Sequence, residues 1–108
     1  MKSIANHQAR VYVQNLSEFK GSNIFGNWVT GKDNKLRYVV FSYGKHWPMY
    51  VWCPVVNRWF SNASWYSRTT HKHHGQAHPL VDTTPLHVDD MIKVADAGIT
   101  AIIEGAEA

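Results

Sequence analysis

A chain of 108 residues, 44% hydrophobic and 18% charged, excludes a disordered polyelectrolyte and leaves room for one core, so residues 1–108 are expected to form a single domain. Its net charge of +3 is spread over lysines and arginines from Lys2 to Lys93, without the dense cluster of a phosphate-tracking surface. The single cysteine, Cys53, excludes an intrachain disulfide and a thiolate zinc site and fits a reducing compartment.

Val11 and Val13 alternate with Arg10, Tyr12 and Gln14, which predicts an N-terminal strand over 9–14. Gly21, Gly26 and Gly31 then punctuate short apolar pieces, predicting turns with one strand at 24–29. Over 36–43, Tyr38, Val39, Val40 and Phe41 place apolar groups on both faces, the pattern of a central strand covered on two sides. Gly44-Lys45 offers a two-residue hairpin turn into a strand over 47–53, with Pro48 expected near its start because proline lacks a ladder donor. Residues 54–57 read as a second connection and 58–60 as a third strand, completing an antiparallel meander.

The polar stretch 61–84 lacks periodicity and predicts a long irregular segment with at most one helical turn. Thr84-Pro85 resembles a helix start, followed by Val88, Met91, Ile92 and Ala95 at helical spacing, with Gly98 as a stop. Residues 99–103 form a last strand or extend the helix, and 106–108 fray. The expected fold is therefore α+β: a small antiparallel sheet, made of a three-stranded meander core plus an N-terminal strand, packed by a C-terminal amphipathic helix.

Two features could carry function. His71, His73, His74 and His78 crowd one polar segment, and imidazoles ligate transition metals, so His71, His74 and His78 are the candidate ligands of a metal- or small-molecule-binding alternative. Gly75 and Pro79 argue against one helix presenting both His74 and His78, and no HExxH-type motif accompanies them. The second feature is aromatic density: Trp47, Tyr50, Trp52, Trp59, Trp65 and Tyr66 can fill a core or, where exposed, stack on bases or anchor a protein interface. Lys45, Arg58 and Arg68 could add phosphate contacts in a single-stranded nucleic-acid-binding alternative. The candidate binding residues are thus Lys45, Tyr50, Trp52, Arg58, Trp65, Tyr66, Arg68 and His71. Ser67, Thr69 and Thr70 beside His71 lack a serine elbow and an orienting third group, so no catalytic residue or cofactor is assigned.

The run Ser42-Tyr43-Gly44 with Pro48, then Trp59-Phe60-Ser61-Asn62, Tyr66-Ser67-Arg68-Thr69-Thr70 and His74 to Pro79, resembles a family of small bacteriophage proteins. Their shared pattern is V-x-S-Y-G-x-x-x-P, an aromatic-aromatic-x-N piece, and Y-S-x-T-T followed by histidine and proline. The likeness spans about residues 19–79 and carries no activity with it. It implies a phage accessory protein in the host bacterial cytoplasm, with Gly44 and Pro48 as backbone elements. Small size, surplus aromatics and the missing catalytic constellation favour a non-enzymatic module that binds a host or phage protein. No stretch approaches the roughly 18 apolar residues of a membrane span.

Overall fold

The computed structural model describes residues 2–44, 47–64 and 68–97, the side chains of 68–71 excepted. Among these residues the chain builds a seven-stranded mixed sheet whose strands lie side by side in sequence order: β1 (Lys2–Ser3), β2 (Phe19–Lys20), β3 (Ile24–Thr30), β4 (Leu36–Ser42), β5 (Pro48–Cys53), β6 (Arg58–Asn62) and β7 (Thr84–Leu86). Neighbours from β2 to β6 are antiparallel, whereas the outer pairs β1–β2 and β6–β7 are parallel. Three short helices, α1 (Ala9–Gln14), α2 (Arg68–Gln76) and α3 (Val88–Ala97), complete the fold. The expectation of a small antiparallel sheet with an N-terminal strand is therefore corrected. The meander is present as β4–β5–β6, but it is the middle of a larger mixed sheet.

The parallel outer pairs dictate where the helices go. A parallel neighbour cannot be reached by a tight turn, so the chain must cross over one face of the sheet. β1 and β6 point the same way and both crossovers step in the same direction, so a common hand puts α1 and α2 on one face. Ala9 and Val13 of α1 and Ala77 after α2 accordingly share a cluster with Phe19, Ile24, Tyr38, Val40, Met49, Tyr50 and Trp59. The opposite face, with Val39, Phe41, Val51, Cys53 and Phe60, receives Met91 and Val94 of α3.

This geometry explains the misread N-terminal strand. Ala9 and Val13 are fully buried while Val11 is 60% exposed, so the operative spacing is i, i+4 and not the alternation of Val11 with Val13. α1 ends in a Schellman motif, with Ser17 N–H donating to Tyr12 O (2.8 Å) and Leu16 N–H to Val13 O (3.1 Å). Leu16 takes the left-handed position usually given to glycine, at φ 54°.

The central strand behaves as its sequence predicts. Tyr38, Val40 and Ser42 face α1 and α2, while Arg37, Val39 and Phe41 face α3. Opposite it, a bulge sets Val40 against Tyr50 and Phe41 against Pro48, leaving Met49 as the extra residue. Met49 and Tyr50 consequently pack in the same cluster. Pro48 opens β5 as expected, and its carbonyl accepts from Asn62 Nδ2 (3.0 Å). The connection before it is longer than the two-residue turn expected, with Ser42 N–H bonded to Trp47 O (3.1 Å). Its left-handed residue among those described is Tyr43 (φ 65°).

Thr84-Pro85 does not start a helix. It lies in β7, where Pro85 pairs with Ser61 on an edge strand that tolerates a missing donor. The donors at the start of α3 are met by Ser64 Oγ, which accepts from Val88 N–H (3.0 Å), and His87 Nδ1, which accepts from Asp89 N–H (3.2 Å). At its other end α3 is tied to the β3–β4 turn: Arg37 donates to Ala95 O (3.2 Å) and to Asp33 Oδ2 (2.5 Å), Lys32 N–H donates to Asp96 O (2.6 Å), and Lys32 Nζ pairs with Asp96 (3.0 Å). A cation at the C-terminal end of a helix also suits its dipole. The expected stop at Gly98 and the segments 99–103 and 106–108 lie outside the described residues.

Candidate functional site

Where an irregular segment was expected, nine residues form α2. Among the described side chains, the face that α2 brings to the sheet is made of His73, with Ala77 one turn on, and the helix sequence holds no aliphatic stripe; a count of apolar residues therefore misses it. His73 is 2% exposed and its Nδ1 lies 2.7 Å from the Oγ of Ser42, which is fully buried on β4. The Tyr43 ring leans on the same imidazole at 5.3 Å. Burial, and then the nearby Lys72, push the His73 imidazole below its ordinary range. A buried serine–histidine pair resembles a nucleophile and its base, yet the hydroxyl has no path to a substrate, and no carboxylate among the described residues bonds to the ring. Its work is to fasten α2 to β4. Sequence reasoning looked to Ser67, Thr69 and Thr70 instead; the available signal was Ser42 itself, which shares strand parity with the core residues Tyr38 and Val40 and so needs a buried partner.

The second contact of α2 is with Tyr50. Its hydroxyl donates to His74 O (2.8 Å), and its ring has His74 and His78 at 5.5 and 5.6 Å and Trp59 at 6.5 Å. Burial raises the phenol to about 12, so it stays a donor throughout the working pH range. As the sequence argued, His78 lies beyond the end of α2, but its ring still reaches the same tyrosine as His74. Among the described residues no group of three His, Cys, Asp or Glu side chains is placed to hold a metal ion; the side chain of His71 lies outside that description. Arg10 of α1 donates to Gly75 O (2.6 Å) and closes the helical layer. An added Cβ at Gly75 would meet open space. Gly75→Ala is expected to stabilise the protein by about 0.5–1 kcal/mol, read as a higher urea midpoint at unchanged slope.

The other candidate binding residues divide as follows. Tyr50, 2% exposed, is floor and not surface. Trp52 is half-buried on the same face, its ring 5.7 Å from that of Trp59, in a cross-strand row that runs Trp28, Tyr38, Trp52, Trp59. Arg58 is exposed and sits directly opposite Cys53, hence on the α3 face and across the sheet from Trp52. Lys45, Trp65 and Tyr66 lie outside the described residues, as do the side chains of Arg68 and His71 on α2.

A feature that the sequence did not announce lies on the α3 face. Among the described residues α3 packs chiefly over β5 and β6, with β3 and β4 beside it. Val29, Phe41, Pro48, Ile92, Ala95 and Asp96 line a groove of about 250 Å³ there, and Phe25 stacks on Phe41 at 5.0 Å. The helical stripe is rotated from the expected one: Met91 and Val94 are buried, whereas Ile92 stands 42% exposed at the groove. α3 is also acidic, with Asp89, Asp90 and Asp96 against Lys93, in a chain of net charge +3.

Among the described residues no helix is long and apolar enough to cross a membrane. Comparison with protein-family models, with curated protein sequences and with solved structures gave no match in any of the three.

Proposed function

We propose that the chain is a non-enzymatic binding module that docks a protein segment in the groove beside α3, the segment carrying an apolar anchor flanked by basic residues. The observation that carries this reading is the groove itself: apolar walls, an exposed Ile92, and a helix along one side that carries Asp89 and Asp90 besides Asp96, which is already paired with Lys32. Its volume falls below the ~300–1,000 Å³ usual for small-molecule sites, which suits a protruding side chain better than a whole small ligand. The resemblance to small phage proteins extends the proposal to an accessory role in the host cytoplasm, with a host or phage protein as partner. The nucleic-acid alternative has less support, because Arg58 and the half-buried Trp52 occupy opposite faces.

An NMR titration of the isotope-labelled protein with a short helical peptide of leucine anchors and lysine flanks tests the reading. Shifts are expected to cluster around Val29, Phe41 and Ile92, and Ile92→Asp should weaken binding by about tenfold or more. Binding unaffected by Ile92→Asp, or shifts confined to the α2 face, would overturn it. A single-stranded oligonucleotide that bound in place of the peptide, with affinity falling steeply in salt, would transfer the function to the nucleic-acid alternative.

A further inference from the structure

We propose that α2 is an acid-released clasp: when His73 takes up a proton, the helix lets go of the sheet while α3 and its face stay packed. The geometry supplies each part. His73 and Ser42 are both buried, their polar atoms 2.7 Å apart, so the pair is well satisfied while the ring is neutral. Among the described residues an imidazolium in that place would meet the Tyr43 ring from the end of β4 and Lys72 on its own helix; of the elements packed on α2, α1 sends Arg10 to Gly75 O and the 3-10 turn Asn6–Gln8 carries His7. None of these groups is an acid. The sequence of α2, RTTHKHHGQ, holds no acidic residue either, so protonation adds charge to an already basic helix.

The described fasteners of α2 are mostly polar. Among the described contacts beyond His73, α2 has the Tyr50–His74 O bond, the Arg10–Gly75 O bond, the His74 ring on Tyr50 with His78 just beyond the helix, the 3-10 turn Asn6–Gln8 and Ala77, and it carries a glycine within its last turn. α3, by contrast, buries Met91 and Val94 and is tied at both ends. Sparse apolar contact is what marks an element that opens below the global unfolding threshold. Because the folded His73 titrates below its unfolded value of about 6.5, docking is complete above that pH and weakens as the pH falls through the window beneath it, by up to about tenfold per unit. Release uncovers the floor of Tyr50 and Trp59, an aromatic surface that neutral pH keeps closed.

Hydrogen exchange of the full chain, followed from about pH 7.5 to about pH 5 and corrected for intrinsic rates, tests the clasp. Below about pH 6.5 the α2 amides should lose protection by up to about tenfold per unit while β4, β5 and α3 keep theirs. His73→Gln, which can bond to Ser42 without titrating, should remove the step. Should the sheet and α2 open together, should α2 hold its protection down to about pH 5, or should His73→Gln retain the step, the proposal is overturned. The wild-type profile decides the first two outcomes even if the variant folds poorly.

Discussion

Arg37→Ala is expected to lower the unfolding free energy by about 3 kcal/mol, measured by urea denaturation of the two proteins side by side. Arg37 is 2% exposed on the α3 face, and its guanidinium holds the Ala95 carbonyl at the end of α3 and the Asp33 carboxylate in the β3–β4 turn. Truncation leaves that carbonyl without its donor, a void beneath the helix, and Asp33 without its cation. Arg37→Lys should lose less, because it keeps the charge but cannot span two acceptors with one planar fork. The acid limb of the same experiment has a defined sign. Arg37 beside Asp33 holds its carboxyl below the usual range, so this contribution is present above the unfolded value of about 3.9 and disappears as the pH falls through the lower folded one. The gap between wild type and Arg37→Ala should therefore narrow below about pH 4.

Gly26→Ala should be about as damaging, near 3 kcal/mol, for a different reason. Gly26 lies on β3 between Phe19 and Val40, and a Cβ built there would come within 2.5 Å of the Tyr38 hydroxyl and 2.6 Å of the Phe19 ring. Both rings are fully buried, and the Tyr38 hydroxyl is held by its bond to Ser17 O at 2.7 Å, so neither can swing aside cheaply. Tyr38→Phe in the same chain removes one of the two collisions. The double variant should recover roughly 1 kcal/mol relative to the sum of the single losses. Strict additivity would show that the Phe19 contact alone sets the loss.

The middle of the fold was legible in the sequence and its margins were not. Tyr38 to Phe41 and Arg58 to Phe60 carry two-faced or alternating apolar groups long enough to specify strands, and β4, β5 and β6 stand where those patterns put them. Lys2–Ser3, Phe19–Lys20 and Thr84–Leu86 are too short to show any period, and they become strands only because a neighbour offers a free edge. α2 escaped because a histidine does the burying, and α1 because two valines at alternating positions outweighed the Ala9–Val13 pair.

The candidate site was harder to read for a related reason. Strand parity puts Tyr50 and Trp52 on one face but does not say that α2 covers Tyr50, so Tyr50 looked like surface and became floor. Ser42 and His73 lie 31 residues apart, and only the crossover from β6 to β7, which carries α2, brings His73 to Ser42. The groove depends on how far α3 is rotated, which Val88, Met91, Ile92 and Ala95 do not determine, since Val94 competes for the same core.

The sequential strand order bears on how the chain assembles. Each strand pairs with its neighbours in the sequence, so between β2 and β6 every partner is reached across a short turn that takes little entropy to close. The hairpins of β3, β4, β5 and β6 can thus form early and supply the template. The two ends must wait, because β1 and β7 join through helical crossovers onto edges that exist only once the centre has formed. α1 and α2 lie within those crossovers, so they can close over their face of the sheet only as β1 and β7 join it.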